Sequence, residues 1–388
     1  MPLPIESITI RNLLSFGPQA EPVELRPLNV LIGPNGSGKS NFIESLNLLS
    51  AMPLGFKSHI NNQGGILHWL WKGNDQPIAK LSVSGTMRLR EETNYEHEIE
   101  FSRVEQSLQV DDESIGFSHV RGRLTRKPLF QYERNVPVLR LTKKKSLAHA
   151  DVDRTESALW RDQPSELLVA LDPLSRFYRS FRFYRGRSLN HLGPAKQPQA
   201  VEQFSEFLLG DARNLGAVLN RINFNNMSKE ILTQLKLVNE NIEEFLVSLE
   251  SGTLQVYLRE TGLLAPIPAS RVSDGTFRWL CLLAILLSPS PPPLMCIEEP
   301  DIGLHPDVIV ELADLLKKAS ARTQLIVTTH SDTLVDALSD TPESILVCEK
   351  SNGQTSLRRL SESNLRDWLE EYGLGQLWRR GDLGGNRY

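Results

Sequence analysis

Twelve residues constrain this chain more than any others: LIGPNGSGKSNF, positions 31–42. Within them Gly33-Pro34-Asn35-Gly36-Ser37-Gly38-Lys39-Ser40 fits the pattern G-x-x-x-x-G-K-[ST] in full. The flanks agree with it. LNVLI before the loop is a short apolar run and predicts a buried strand. FIESLNLL after it puts Phe42, Ile43, Leu46 and Leu49 at helical spacing. A strand, a glycine loop and a helix in that order wrap a phosphate chain. Glycines let backbone N–H groups curl around the phosphates, and the helix N-terminus adds positive potential. In this reading residues 33–38 and Asn41 line a nucleotide, Lys39 reaches the β- and γ-phosphates, and Ser40 ligates magnesium. The competing reading, a chance glycine-rich turn, needs all three elements to coincide by accident.

Three later segments supply chemistry for such a loop. LMCIEEPD (294–301) is an apolar strand ending in paired carboxylates. Glu298 is assigned to the metal and Glu299 to the general base that orients or deprotonates attacking water; the bland alternative is a solvated strand end. LIVTTHS (325–331) is a second buried strand ending at His330, which can touch a γ-phosphate or serve only structure. RVSDGTFRWLCLLAIL (271–286) opens an apolar helix on Ser273 and Asp274, both good N-caps, with Gly275 permitting close backbone approach. Ser-x-Gly at a helix start also suits an anion.

Bulk properties exclude several classes. Net charge is −4, so any nucleic-acid or membrane contact needs a local patch. The longest apolar run, Trp279 to Leu287, falls well short of the roughly 20 residues a membrane span requires. Cys281, Cys296 and Cys348 show neither zinc nor disulfide spacing and read as buried thiols in a reducing cytoplasm. The opening MPLPIESITI has no signal-peptide pattern.

In order along the chain, ITIRNLLSFG, GPNGSGKS, VSDGT, CIEEPDIGLHP and TTHS resemble the ABC-type ATPase heads of the RecF and SMC group. They look most like the small stand-alone ATPases often labelled AAA family, and the tail GLGQLWRRGDLGGNRY resembles their ending. Glu298 departs from the aspartate usual at its position. The resemblance implies an α/β P-loop NTPase head, with a mixed sheet core, a small antiparallel sheet and a short inserted helical lid. It implies ATP and Mg2+ as ligands and a homodimer around two ATP molecules. Ser273 and Gly275 of one copy would close on the nucleotide held by Gly33–Ser40 of the other, with Asp301 to His305 linking the sites. Gln63 is the candidate glutamine-loop residue, a polar surface loop being the alternative.

Expected boundaries are 1–110 for the first half of the head, 111–260 for a mostly helical lid, and 261–388 for the second half. Ser40 and Ser273 lie 233 positions apart, more than a compact transporter head needs, and no heptads mark a long arm. Strands are expected over 80–110, where Leu81, Val83, Met87 and Leu89 alternate, as do Tyr95, Ile99 and Phe101. Helices are expected over 154–175 and 201–250, the latter with Ile231, Leu235, Val238, Ile242, Phe245 and Leu249 on one face. Residues 118–146 hold nine Lys or Arg, and SRFYRSFRFYRGR (175–187) interleaves five arginines with five aromatics. These offer DNA contact with stacking faces, or else a solvated loop and a core-facing strand. ESILVCEK (343–350) resembles the opening strand of a TOPRIM nuclease, yet too little chain follows for that fold, so Glu349 reads as a strand-end residue and any nuclease belongs to a separate effector. Two functions stay open: an ATP-driven switch acting on DNA or an effector in DNA maintenance or anti-phage defence, and a nucleotide-gated scaffold with no DNA contact. A transporter subunit is a weaker third.

Overall fold

The computed structural model describes residues 2–88, 91–119, 128–133, 135–142, 145–148, 152–185, 196–200, 206–225, 227–250, 252–369 and 371–385. They form two compact units, each assembled from separated stretches of chain. The first comprises Met1–Phe181, Ile345–Leu360 and Leu383–Tyr388; the second comprises Arg182–Ser344 and Ser361–Asp382.

The first unit begins with β1 (Ser7–Arg11), β2 (Val23–Glu24) and β3 (Leu28–Ile32). The helix α1 (Lys39–Asn62) follows, then α2 (Ile66–Trp69). All five residues of β3 are buried, as a continuous apolar run demands. In α1, Phe42, Ile43, Leu46 and Leu49 are buried, and each contributes about 1.5–3 kcal/mol of transfer free energy. Next come β4 (Ala79–Arg88), β5 (Glu92–Val104), β6 (Ser107–His119), β7 (Phe130–Glu133), β8 (Val136–Thr142) and β9 (Lys145–Ala148). With β1 and β2 they make an antiparallel sheet in the order β2-β1-β4-β5-β6-β7-β8-β9. Tyr95, Ile99 and Phe101 point inward as the alternation predicts; Leu89 lies outside the described residues.

Helix α3 (Ser165–Arg179) packs on α1, and a buried polar cluster ties it to the sheet. His97 Nε2 lies 3.0 Å from Glu113 Oε1, and its Nδ1 lies 3.1 Å from the Tyr178 hydroxyl. The Ser157 hydroxyl and the Ala158 N–H donate to the same carboxylate at 2.6 and 2.7 Å. A buried carboxylate persists only with its acceptor sites filled in this way.

The second unit opens on β10 (Arg182–Arg185) and β11 (Gln199–Ala200), followed by helices α4 (Leu215–Phe224) and α5 (Ser228–Leu235). β12 (Ile242–Glu250), β13 (Thr253–Glu260) and β14 (Ile267–Pro268) lead to α6 (Asp274–Leu286). Then come β15 (Leu294–Glu298), α7 (Pro306–Ser320), β16 (Gln324–Thr328) and α8 (Asp332–Asp336). β10, β15 and β16 pair in parallel, which sets the ends of β15 and β16 side by side. Every residue of α6 from Thr276 to Leu286 is buried, as an all-round apolar helix requires. Helices α4, α5 and α7 pack on it. The chain then returns to the first unit as β17 (Ile345–Ser351), parallel to β3, and β18 (Gln354–Arg359), antiparallel to β17. The helices α9 (Glu362–Leu369) and α10 (Leu374–Arg380) belong to the second unit. No helix of the described residues is long and apolar enough to cross a membrane.

Three expectations need correction. Residues 111–260 are mixed rather than mostly helical: their first part adds β6 to β9 to the antiparallel sheet, and the expected boundary after 110 falls inside β6. Among the described residues of 201–250, helices cover only 215–224 and 228–235, and 242–250 is a strand. Ile242 and Phe245 are both buried because a bulge lies between Ile242 and Glu244. The extra residue turns a spacing of two into three, which mimics a helical period. Finally, Tyr178, Phe181 and Tyr184 are at most 2% exposed. Those three rings, packed into the core, give bases no stacking face, while Phe177 and Phe183 are half-buried. Arg176, Arg179 and Arg185 point outward. Most of the charge in the other basic stretch lies outside the described residues.

Candidate nucleotide site

The phosphate loop joins β3 to α1 in the first unit. Gly33, Gly36 and Gly38 all have positive φ, at 146°, 77° and 111°. A Cβ on Gly33 would stand 2.3 Å from the Cys348 carbonyl oxygen, and one on Gly38 would stand 2.2 Å from Thr355 Oγ1. Both positions therefore require glycine on conformation and on space. Lys39 is buried, and its ammonium donates to the carbonyl oxygens of Gly33 and Pro34 at 2.7 and 3.0 Å. This holds a cation across the mouth of the loop. Pro34 is half-buried, Asn35, Gly36 and Ser40 are exposed, and Ser37 is buried.

The back of the loop is braced by residues that the motif does not name. The Thr355 hydroxyl donates to the Ser37 carbonyl oxygen at 2.8 Å and lies 2.7 Å from Ser15 Oγ. The Asn41 amide donates to that same Ser15 Oγ at 2.8 Å, so Asn41 props the loop. Burial of Cys348 pushes its thiol up to about 12, so it stays protonated beside Lys39. The tail reaches this region too. The Gly385 N–H donates to Glu349 Oε1 at 2.9 Å, and a Cβ on Gly385 would lie 3.4 Å from Gly33 Cα. Glu349 thus anchors the tail. Gln63 caps the C-terminus of α1, exposed, with its amide 3.1 Å from His59 Nε2. Gly38→Ala is expected to cost about 2 kcal/mol or more through strain and the Thr355 clash. Thermal unfolding checks this; an unchanged midpoint would show that the brace is soft.

The second unit gathers the remaining residues. Glu298 ends β15, and the parallel pairing with β10 sets it opposite Arg185, with Arg185 Nε 3.6 Å from Glu298 Oε1. Glu299 turns the chain in the left-handed region at φ 47°, a strain of roughly 1–2 kcal/mol for a residue with a side chain. Its Oε1 lies 3.7 Å from His330 Nε2, and its backbone is held by Thr328. Asp301 accepts the Thr329 hydroxyl at 2.7 Å. Burial raises its pKa, against the opposing effect of that hydrogen bond.

Ser273 caps α6, accepting from the Thr276 N–H at 3.2 Å, and is exposed. A Cβ on Gly275 would stand 3.0 Å from the Gly303 carbonyl oxygen, so the start of α6 meets the Asp301–His305 segment. Two cations complete the arrangement. Arg278 donates to the Glu299 carbonyl oxygen at 2.8 Å, bridging α6 to the acidic turn. Lys196, 6% exposed, donates to the Val272 carbonyl oxygen and to Asp274, each at 2.8 Å. Neither carries a sequence signal, since Lys196 and Asp274 lie 78 positions apart.

The glycine backbone, the held ammonium and the N-terminus of a long helix suit a polyphosphate anion. Among the described residues no group of three or more His, Cys, Asp or Glu could hold a metal. Magnesium at such loops draws most of its ligands from substrate phosphate and water, and an exposed hydroxyl at Ser40 fits that role.

A family model described as AAA domain, putative AbiEii toxin, Type IV TA system matches residues 28–336. No curated protein matches the chain in sequence. Among solved structures, the SMC head bound to the C-winged helix domain of ScpA is 16% identical with a TM-score of 0.56, covering 93% of this chain and 99% of that one. The SMC head domain with an extended coiled coil, bound to the C-terminal domain of ScpA and derived from Pyrococcus furiosus, is 15% identical with a TM-score of 0.53. It covers 96% of this chain and 99% of that one.

Proposed function

Because the chain belongs to the family described as AAA domain, putative AbiEii toxin, Type IV TA system, and shares its fold with SMC heads, we propose that it is an ATP-hydrolysing switch that dimerises around two ATP molecules and regulates a separate effector. The observation that carries this reading is the phosphate loop with Lys39 held across its mouth. Residues 33–38 cradle the β- and γ-phosphates, and Lys39 neutralises their charge. Glu299 accepts a proton from the attacking water as the bond from the γ-phosphorus to the bridging oxygen breaks, releasing ADP and phosphate. His330, beside Glu299, hydrogen-bonds the γ-phosphate. Magnesium, held by Ser40, Glu298 and the phosphates, would supply further charge neutralisation. Ser273 and Gly275 of a second copy complete the pocket, so hydrolysis frees the two copies to part. The family description names a two-component toxin–antitoxin system, which supports a second protein component acting with this chain.

Ser273→Arg tests the shared pocket. Ser273 is exposed at a helix start, so an arginine there obstructs a docking copy while costing only about 1 kcal/mol of capping. ATP binding is expected to persist and turnover to vanish. Normal hydrolysis would mean that this segment closes on nothing. A second reading, a nucleotide-gated scaffold with no nucleic-acid contact, draws on the burial of Tyr178, Phe181 and Tyr184, three of the five aromatics over 175–187.

A further inference from the structure

We propose that the cavity beside the first turn of α1 takes the nucleoside end of the bound nucleotide, with Trp71 as the stacking surface for the base; this rests on the phosphate-loop reading above. The cavity has a volume of about 520 Å³ and is lined by Asn41, Ser15, Trp71, Lys72 and Lys350, among others. That volume lies in the ordinary range for small-ligand sites. Asn41 and Ser15 belong to the hydrogen-bonded brace that reaches the Ser37 carbonyl oxygen through Thr355, so the cavity adjoins the phosphate loop.

Its chemistry selects an aromatic anion. Two lysines and an indole line it, and no acidic side chain does. Trp71 also borders a larger cavity of about 650 Å³, but there Asp75 and Glu105 offset the charge of Lys72 and Arg103, so it lacks the excess of cations that draws an anion. The indole is held in place beforehand. Its N–H donates to the Gly353 carbonyl oxygen at 3.3 Å, and its backbone N–H donates to Asn12 at 3.0 Å. Gly73 presses on the ring, since a Cβ there would lie 2.1 Å from the indole. A fixed ring loses little freedom when a base stacks on it.

Isothermal titration of the full chain with ATP and with inorganic tripolyphosphate tests the assignment. In Trp71→Ala, ATP affinity is expected to fall about tenfold, the usual loss of one base–aromatic stack. Tripolyphosphate affinity should stay at the wild-type value. Trp71→Phe keeps a ring and is expected to retain most of the ATP affinity, which separates stacking from a folding defect. Equal ATP binding by wild type and Trp71→Ala overturns the base site and leaves the phosphate loop standing. An equal loss for both ligands, or for Trp71→Phe and Trp71→Ala alike, also overturns it. Wild-type protein that binds neither ligand removes the phosphate-loop reading and this inference together.

Discussion

Glu299→Gln is expected to slow ATP turnover by about a thousandfold while leaving ATP affinity near wild type. Removing a general base typically costs a factor of roughly 10²–10⁴. Glutamine keeps the shape and the left-handed turn but cannot accept the proton. Geometry selects this carboxylate over its neighbours. Glu298 faces Arg185 and its side chain is 19% exposed, whereas Glu299 is 38% exposed and lies beside His330. Asp301 is engaged by Thr329. Since binding survives while hydrolysis stops, the variant should accumulate as an ATP-bound dimer, visible as a doubling of mass by light scattering. A strictly monomeric result with saturating ATP would sink the shared pocket, and wild-type turnover would sink the base assignment. The same trapped species separates the two functional readings: ATP-dependent, salt-sensitive retention of DNA supports the switch acting on DNA, and none supports the scaffold.

Lys39→Ala is expected to weaken ATP binding at least about a hundredfold, which corresponds to about 2.7 kcal/mol, within the range for truncating one partner of a buried charge pair. The ammonium is buried and already aimed across the loop by the carbonyl oxygens of Gly33 and Pro34. Alanine leaves the phosphates without their cation and those carbonyls without their donor. Lys39→Arg should recover little, since a wide planar fork does not fit where a point charge sits between two carbonyls. Titration calorimetry decides the matter; full affinity in Lys39→Ala would refute the loop assignment.

These two variants probe residues that were visible in the sequence, because each lies in a contiguous run whose chemistry is local. The loop declared itself through its glycines, α6 through its Ser273 cap, and the acidic turn through an apolar strand ending in carboxylates. The antiparallel strands over 80–110 were legible from alternation alone. Local periodicity failed where a bulge changed it. Ile242 and Phe245 lie three apart on one face of a strand, and no single-segment pattern separates that from a helix. It failed again at 177–184, where alternating arginines and aromatics fit a base-stacking strip as well as a core edge. Burial of Tyr178 and Tyr184 decided for the core.

The sequence by itself determined the strand–loop–helix around Gly33–Ser40, the order of the elements that follow and the strand ends where Glu298, Glu299 and His330 stand, because bonding between near neighbours sets them. Only the tertiary structure decided what supports those residues. Thr355 braces a loop hydrogen-bonded to Ser15, 340 positions away. Lys196 holds Asp274, Arg278 reaches the Glu299 carbonyl, and Arg185 faces Glu298 across paired strands. Such contacts depend on which strands pair and which helices pack. That follows from burying apolar surface over the whole chain, and no short segment records it.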